Sequence, residues 1–404
     1  MKWITGGVCA AQGFLASGIH CGIRKNKCKK DLALIVSQVR ASAASIYTKN
    51  LVKGAPIYVT KENLKDGFAQ AVLCNSGNAN TCNANGIDIA KGMCALVEKH
   101  LPITSQDVIV ASTGVIGQPL SLEPIAAGME ALVKSLSSHG EGAAAEAIMT
   151  TDTMEKQAAV SFTIGGKTCR LGGMAKGSGM IHPNMATMLV FLTTDAAILP
   201  SMLHKALLAD ADDTFHMISV DGDTSTNDMV SILANGLAGN KPIEAEGKDF
   251  DAFQKALNAV TTVLCKAIAK DGEGATKLIA CTVSGAADKE TARLVAKSIV
   301  CSNLTKAAIF GADANWGRVL CAIGYSGAQV DVTKIDVSFA SACGQVDVCR
   351  QGAGIPFSEE EAKAVLSEDE IEILVDLNEG DQTATAWGCD LTYDYVKING
   401  DYRT

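Results

Sequence analysis

Short apolar runs punctuate the chain. Leu32 to Val36, Ala71 to Cys74 and Val108 to Ala111 are each bounded by Gly, Asn and Ser clusters, which is the pattern of buried strands. Between them the period changes from two to about four. After Pro124, the residues Ile125, Met129, Leu132, Val133 and Leu136 recur at helical spacing, and Gly140 is the expected C-terminal stop. A second helix is predicted from Phe253, Leu257, Val260, Leu264 and Ile268, ending near Gly272. Ser358 followed by Glu361 reads as a capping box that opens a short helix. The strand after it carries Ile371, Ile373, Val375 and Leu377 in alternation with charged or polar residues, except at Leu374, so it has one buried and one wet face.

Strands and helices in this irregular order predict an α/β (α+β) protein, a layered arrangement of mixed sheets rather than a strict βαβ repeat. With 404 residues, the chain exceeds one ordinary domain. No internal repeat or low-complexity linker marks a division, and we expect a main domain over residues 1–280 and a smaller C-terminal α/β domain over 281–404.

Composition narrows the function. The net charge of −9 is spread along the chain, and the one basic cluster, Arg24 to Lys30, lacks the interleaved aromatics of a nucleic-acid reader, so a small-molecule partner is expected. None of the fourteen cysteines forms a CxxC pair, and neither Cys21/Cys28 nor Cys343/Cys349 has histidines at zinc-finger spacing. They read as small buried apolar residues, and no metal site is expected. The first residues do not have the pattern of a signal peptide, and no apolar run approaches ~20 residues, so the expectation is a cytoplasmic protein without a membrane span.

The most informative segment is KGSGMIHPNMATMLVFLTTDA, Lys176 to Ala196. Two glycines and a proline make a bendable approach, after which Ala186-Thr187 opens directly into the apolar run Met188 to Leu192. A threonine between a loop and a rigid strand has the layout of a self-processing site: its hydroxyl can attack the Ala186 carbonyl, and water then opens the ester. Thr187 would become an N-terminus whose α-amine, of reference pKa ~7.7–8.0, can serve as base for its own hydroxyl. Read alone, Thr187 is equally a β-branched residue that begins a strand. Lys176-Gly177-Ser178 is no phosphate loop, because the lysine precedes the glycine, and no G-x-G-x-x-G follows a strand. His182 reads as a loop histidine. Asp221, Asp223 and Asp228 lack EF-hand spacing and are expected to cap turns around the site.

Further segments acquire meaning together. GFLASGI at Gly13 to Ile19, NSGNAN at Asn75 to Asn80, STGVIG at Ser112 to Gly117, MTTDT at Met149 to Thr153 and SVDGDTSTND at Ser219 to Asp228 resemble segments of the ornithine acetyltransferases, the ArgJ family. DGEGATK at Asp271 to Lys277, GADANWGR at Gly311 to Arg318 and the terminal AWGCDLTYDYVKINGDYRT continue that resemblance in the family's order.

The resemblance implies a fold of the ArgJ type and a precursor cut into fragments 1–186 and 187–404, which stay associated, most simply as a dimer of two-fragment units (a heterotetramer). It places the nucleophile on Thr187, the cleavage site on Ala186 and Thr187, and the oxyanion-stabilising pair on Thr113 and Gly114. Substrate binding falls on Thr150, Lys176, Thr187, Glu273, Asn399 and Thr404. We expect Lys176 to face a substrate carboxylate and Glu273 the side-chain ammonium of ornithine. A role for Asn399 and Thr404 requires the tail to be tied into the site.

The implied reaction moves acetyl from N-acetyl-ornithine to Thr187, releasing ornithine, and then to glutamate, giving N-acetylglutamate, with no cofactor. Members that also use acetyl-CoA as donor share these motifs, so the sequence leaves that donor open. Two rivals are a self-processing aminopeptidase or amidase with water as acceptor, and a binding protein that keeps the fold without cleavage.

Overall fold

The computed structural model describes residues 1–182 and 188–401. The chain is mixed α/β and divides into two compact units. The first comprises residues 1–177, 184–212 and 224–264, and the second 178–183, 213–223 and 265–404. The expected division at 280/281 falls inside the strand Leu278–Ala286, which pairs along both edges within the second unit. Sequence periodicity marks where a strand lies but not which sheet it joins, and here the chain leaves the first unit and returns to it twice.

In the first unit nine strands form one sheet. Its order is Lys2–Ile4, Lys156–Ile164, Lys167–Lys176, Leu189–Thr194, Met229–Ala234, Leu32–Tyr47, Phe68–Asn75 and Val108–Ser112, with Phe14–Ile19 also paired to Leu32–Tyr47. Two pairings are parallel, Leu189–Thr194 with Met229–Ala234 and Phe68–Asn75 with Val108–Ser112, and the rest are antiparallel.

The unbroken apolar runs follow from burial of both faces of this sheet. Ala33 and Ile35 pack into one cluster with Val72, Ile109 and the alanine-rich helix Glu141–Ile148. Leu32, Leu34 and Val36 pack on the other side with Leu73, Val110 and the helices Gly86–His100 and Glu123–Lys134. A strand covered on both sides has no position for a polar residue, so alternation disappears.

The helix after Pro124 ends at Lys134, earlier than its periodicity suggests. Gly140 is not its stop but precedes the next helix, Glu141–Ile148. A side chain there would meet the Ala16 carbonyl oxygen at 1.8 Å, so glycine is needed for close approach.

The second unit holds a seven-stranded sheet in the order Ala353–Gly354, Gly344–Arg350, Asp336–Ser341, Glu370–Asp376, Leu278–Ala286, Gln382–Cys389 and Ile218–Ser219. Glu370–Asp376 alternates exposed and buried positions as predicted. Ser358 caps the helix Glu359–Leu366 by accepting from the Glu361 amide. The predicted helix around Leu257 runs Lys248–Lys270. Among the described residues no helix is long and apolar enough to cross a membrane.

The cysteines are all free thiols, and the expectation that they are buried holds for only part of them. Cys74 and Cys94 are buried, and burial pushes their thiols up to about 12. Cys28, Cys82, Cys321 and Cys343 are exposed.

Candidate active site

In the first unit three of the motif segments meet at one end of the sheet. Thr113 follows the strand Val108–Ser112, and its amide donates to the Asn75 carbonyl at 3.0 Å. The Ser112 hydroxyl donates to Asn75 Oδ1 at 2.6 Å, and Asn75 Nδ2 reaches the Asn78 carbonyl at 2.9 Å. Asn227 joins them to the third segment. Its Nδ2 donates to the carbonyls of Ala79 (2.6 Å) and Ser112 (2.9 Å), while its Oδ1 accepts from Thr81 Oγ1 at 2.6 Å. Short amides at these places satisfy backbone carbonyls that a sheet end leaves over, and so they fix the loops against each other.

Gly114 is required for close approach. Its φ is +132°, and an added Cβ would lie 2.4 Å from the Gly77 carbonyl carbon. The loop is thereby pressed onto the neighbouring turn, and Thr113 is held 9% exposed.

Lys176 closes the strand Lys167–Lys176 and is 7% exposed. Its ammonium donates to the Thr113 hydroxyl at 3.4 Å. The buried Asp152 organises the surroundings, accepting from Lys156 Nζ (2.7 Å), the Gly177 amide (2.7 Å) and the Thr150 amide (2.9 Å). Burial by itself would raise this carboxyl, but Lys176 and Lys156 together outweigh it and hold Asp152 well below the usual carboxylate range.

Asp228 behaves in the opposite way. Burial pushes it well above the ordinary value, by more than the Ser225 hydroxyl and Lys176 offset. It was expected to cap a turn beside Asp221, yet it lies buried, with one side-chain oxygen lacking a hydrogen-bond partner.

The second unit brings together Glu273 and Asn399. The Glu273 amide donates to the Ser178 carbonyl at 3.0 Å, and the Ser178 hydroxyl to the Asp271 carbonyl at 2.7 Å. Asn399, on the helix Tyr393–Gly400, donates to Glu273 Oε2 at 2.8 Å. That helix is anchored where it begins: Thr392 Oγ1 donates to the Gly274 carbonyl at 2.6 Å, and Asp390 accepts from the amides of Thr276 (2.8 Å) and Lys277 (3.0 Å). The tail is thus tied to the DGEGATK turn as far as Asn399.

Asp221 does cap a turn, accepting from the amides of Met180 (2.6 Å) and Ile181 (2.9 Å). His182 hydrogen-bonds Ser219 Oγ at 3.1 Å and lies 3.4 Å from the Cys301 thiol. Burial, with Lys297 acting in the same direction, lowers its pKa to about 4.

The predicted site residues therefore fall into two sets. Thr113, Gly114, Thr150 and Lys176 belong to the first unit, and Glu273 and Asn399 to the second. Ala186, Thr187 and Thr404 lie outside the described residues. Two residues escaped the sequence reading, Asp152 and Lys156. The signal available was a lysine opening the otherwise uncharged strand Lys156–Ile164, four residues after an aspartate.

The family model described as the ArgJ family matches residues 15–404. The arginine biosynthesis bifunctional protein ArgJ of Caldanaerobacter subterraneus subsp. tengcongensis is 52% identical, with 100% of each chain covered. A crystal structure of the corresponding Bacillus halodurans protein is 52% identical over 54% of this chain and 100% of its own, with a TM-score of 0.50. An ornithine acetyltransferase from Mycobacterium tuberculosis, solved with ornithine, is 34% identical over 45% of this chain and 96% of its own, with a TM-score of 0.40. The chain belongs to the ArgJ family and is an arginine-biosynthesis acetyltransferase, an ornithine acetyltransferase of the glutamate N-acetyltransferase type.

Proposed function

We propose that the chain cuts itself between Ala186 and Thr187 and that the freed Thr187 carries acetyl from N-acetyl-ornithine to glutamate. One observation carries this reading: the Lys176 ammonium meets the Thr113 hydroxyl (3.4 Å) at the end of a strand whose neighbour begins just after Thr187. Leu189 stands opposite Lys176 in the ladder, and the Met188 carbonyl accepts from the Met229 amide at 2.9 Å. The Bacillus halodurans chain matches 54% of this one with its whole length, the share that residues 187–404 make up.

In the first step Thr187 Oγ attacks the Ala186 carbonyl carbon, the C–N bond breaks, and the nitrogen takes the proton. Water hydrolyses the resulting ester, leaving the Ala186 carboxylate and a free α-amine on Thr187. In turnover that amine accepts the hydroxyl proton as Oγ adds to the acetyl carbonyl of N-acetyl-ornithine. The negative oxygen is met by the Thr113 hydroxyl and the Gly114 N–H, donors that gain strength as charge develops. Ornithine leaves with the proton. The α-amine of glutamate then attacks acetyl-Thr187 through the same sequence in reverse.

Lys176 takes the α-carboxylate of each amino acid, and Thr150 contributes beside it; Glu273, Asn399 and Thr404 serve the ornithine side chain. No cofactor enters these steps. Acetyl-CoA as a second donor is supported by the word bifunctional in the relatives' name. We read the enzyme as cytoplasmic and as a dimer of two-fragment units.

Intact-mass measurement of the Thr187→Ala protein tests the proposal. A single species near 42.0 kDa is expected, against two fragments for the unaltered chain. Fragments ending at Ala186 in Thr187→Ala would overturn it.

A further inference from the structure

Within the second unit, the backbone of residues 178–181 is held by two acidic residues. The Ser178 carbonyl accepts from the Glu273 amide at 3.0 Å, and a Cβ added to Gly179 would lie 2.3 Å from the Glu273 carboxyl carbon, so the segment is pressed onto that side chain. Asp221 holds the next two residues, Oδ2 accepting from the Met180 amide at 2.6 Å and Oδ1 from the Ile181 amide at 2.9 Å. The Val220 amide returns a bond to the Ile181 carbonyl at 2.7 Å. Met180 has a φ of +55°, a left-handed conformation that a residue with a side chain seldom adopts and that persists only where its surroundings impose it. Asp221 supplies that constraint.

The same two carboxylates hold the helix Tyr393–Gly400. Tyr395 Oη donates to Asp221 Oδ2 at 3.3 Å, and Asn399 Nδ2 to Glu273 Oε2 at 2.8 Å. A helix of eight residues has little stability of its own, and none of these residues is buried. Polar bonds, with the edge contact between the Phe310 and Tyr393 rings, therefore keep it in place where an enclosed apolar face usually would. Asp221 thus joins two pieces of chain far apart in sequence: the terminal helix, and a backbone segment whose last residue, Ile181, stands five residues before Ala186.

We propose that Asp221 and Tyr395 are positioning residues for self-cutting: the terminal helix completes the set of donors around Asp221, Asp221 fixes the Met180–Ile181 backbone that leads to the scissile bond, and cutting waits until that helix is in place. This inference rests on the reading that the chain cuts itself between Ala186 and Thr187. The chemistry of the step is unchanged; what the pair governs is alignment, to which a reacting hydroxyl and carbonyl are sensitive on the scale of about 1 Å.

The test follows newly made full-length precursor by intact mass after a pulse of cell-free synthesis. Asp221 accepts from four donors, the amides of Met180, Ile181 and Asp223 and the Tyr395 hydroxyl. Asp221→Asn keeps the size but leaves one acceptor oxygen, and cutting should slow about ten-fold or more, the scale of a lost charge-assisted contact. Tyr395→Phe removes only the phenol oxygen and should slow cutting about three-fold or more. The double variant should cut at the rate of Asp221→Asn alone, because the phenol acts through that carboxylate. Melting curves of the same substitutions in the Thr187→Ala chain report folding of the precursor separately.

A folded Asp221→Asn or Tyr395→Phe precursor that cuts at the unaltered rate would overturn the proposal, as would a double variant whose slowing is the product of the two single ones. A merely structural pair would lower the melting temperature and leave the rate of the folded fraction unchanged. Should Asp221→Asn fail to fold, Tyr395→Phe still decides. Failure of the underlying reading looks different: the unaltered chain would stay whole, or Thr187→Ala would be cut after Ala186.

Discussion

Replacing Gly114 by alanine adds one carbon where the molecule has no room for it. The new Cβ would lie 2.4 Å from the Gly77 carbonyl carbon, 2.6 Å from the Asn78 amide nitrogen and 2.8 Å from the Gly77 Cα. All three are backbone atoms of a turn held by Asn75 and Asn78, so no side chain can rotate away. Restoring ordinary contact requires the Thr113–Gly114 loop to open by roughly 1 Å. Overpacking of that kind costs about 1–3 kcal/mol. The backbone angle of +132° adds strain of about 1–3 kcal/mol for a residue with a side chain. The combined cost, roughly 2–6 kcal/mol, is relieved mainly by moving the loop. A displacement near 1 Å at a reacting group can lower turnover on the order of 10²-fold. Gly114→Ala should therefore melt at lower temperature and lose about two decades in kcat, with KM changed far less. The assay is steady-state transfer from N-acetyl-ornithine to glutamate, with calorimetry on the same preparation. Turnover within a factor of about three of normal would refute the reasoning, because the loop would then tolerate the shift or take no part in charge stabilisation.

Thr113→Ala removes a hydroxyl without crowding, so stability should change little while turnover falls on the order of 10²–10³-fold, as for other single oxyanion donors; a near-normal rate in the folded variant would exclude the role. If acetyl rests on Thr187, initial-rate plots at several fixed glutamate concentrations should be parallel, and acid quench after N-acetyl-ornithine alone should show one added acetyl group on the fragment beginning at Thr187. Intersecting plots without a trapped acetyl group would indicate direct transfer. His182 has a folded-state pKa near 4 against an ordinary value near 6.5, chiefly through burial. The unfolded chain takes up this proton first, so stability present above about pH 6.5 is lost as the pH falls toward 4. Urea denaturation across that window should show a flatter dependence for His182→Gln than for the unaltered protein, and parallel curves would show that His182 contributes nothing.

Much of the fold was readable where periodicity had one cause. The helix around Leu257, the Ser358 cap and the alternating strand at Ile371 depend on local pattern and on a single buried face, and each is found where the sequence predicts it. The helix after Pro124 is shorter than its pattern predicts because Leu136 packs on the same core from beyond the helix end, and Gly140 serves close approach to Ala16, a tertiary requirement that local pattern does not carry. The units could not be read at all from composition, since their boundaries depend on which sheet a strand joins.

At the site, Thr113, Gly114, Thr150 and Lys176 were recognisable only through family resemblance; by local pattern STGVIG is a plain turn. Asp152 lies within MTTDT, but nothing in that motif alone gives it a role. Its significance comes from Lys156 and Gly177, whose proximity to it depends on the pairing of two strands.

That pairing also bears on the order of events in the life of the molecule. Leu189–Thr194 is flanked by Lys167–Lys176 on one edge and Met229–Ala234 on the other, and Met229–Ala234 is flanked in turn by Leu32–Tyr47. A break between Ala186 and Thr187 leaves two pieces whose strands alternate within a single ladder. Neither piece made separately would possess the complete nine-stranded sheet, and dilution would offer them no seam in it along which to part. The scission proposed above would then come after assembly, and the appearance of two polypeptides on a denaturing gel would be a clock for correct folding rather than a sign of degradation.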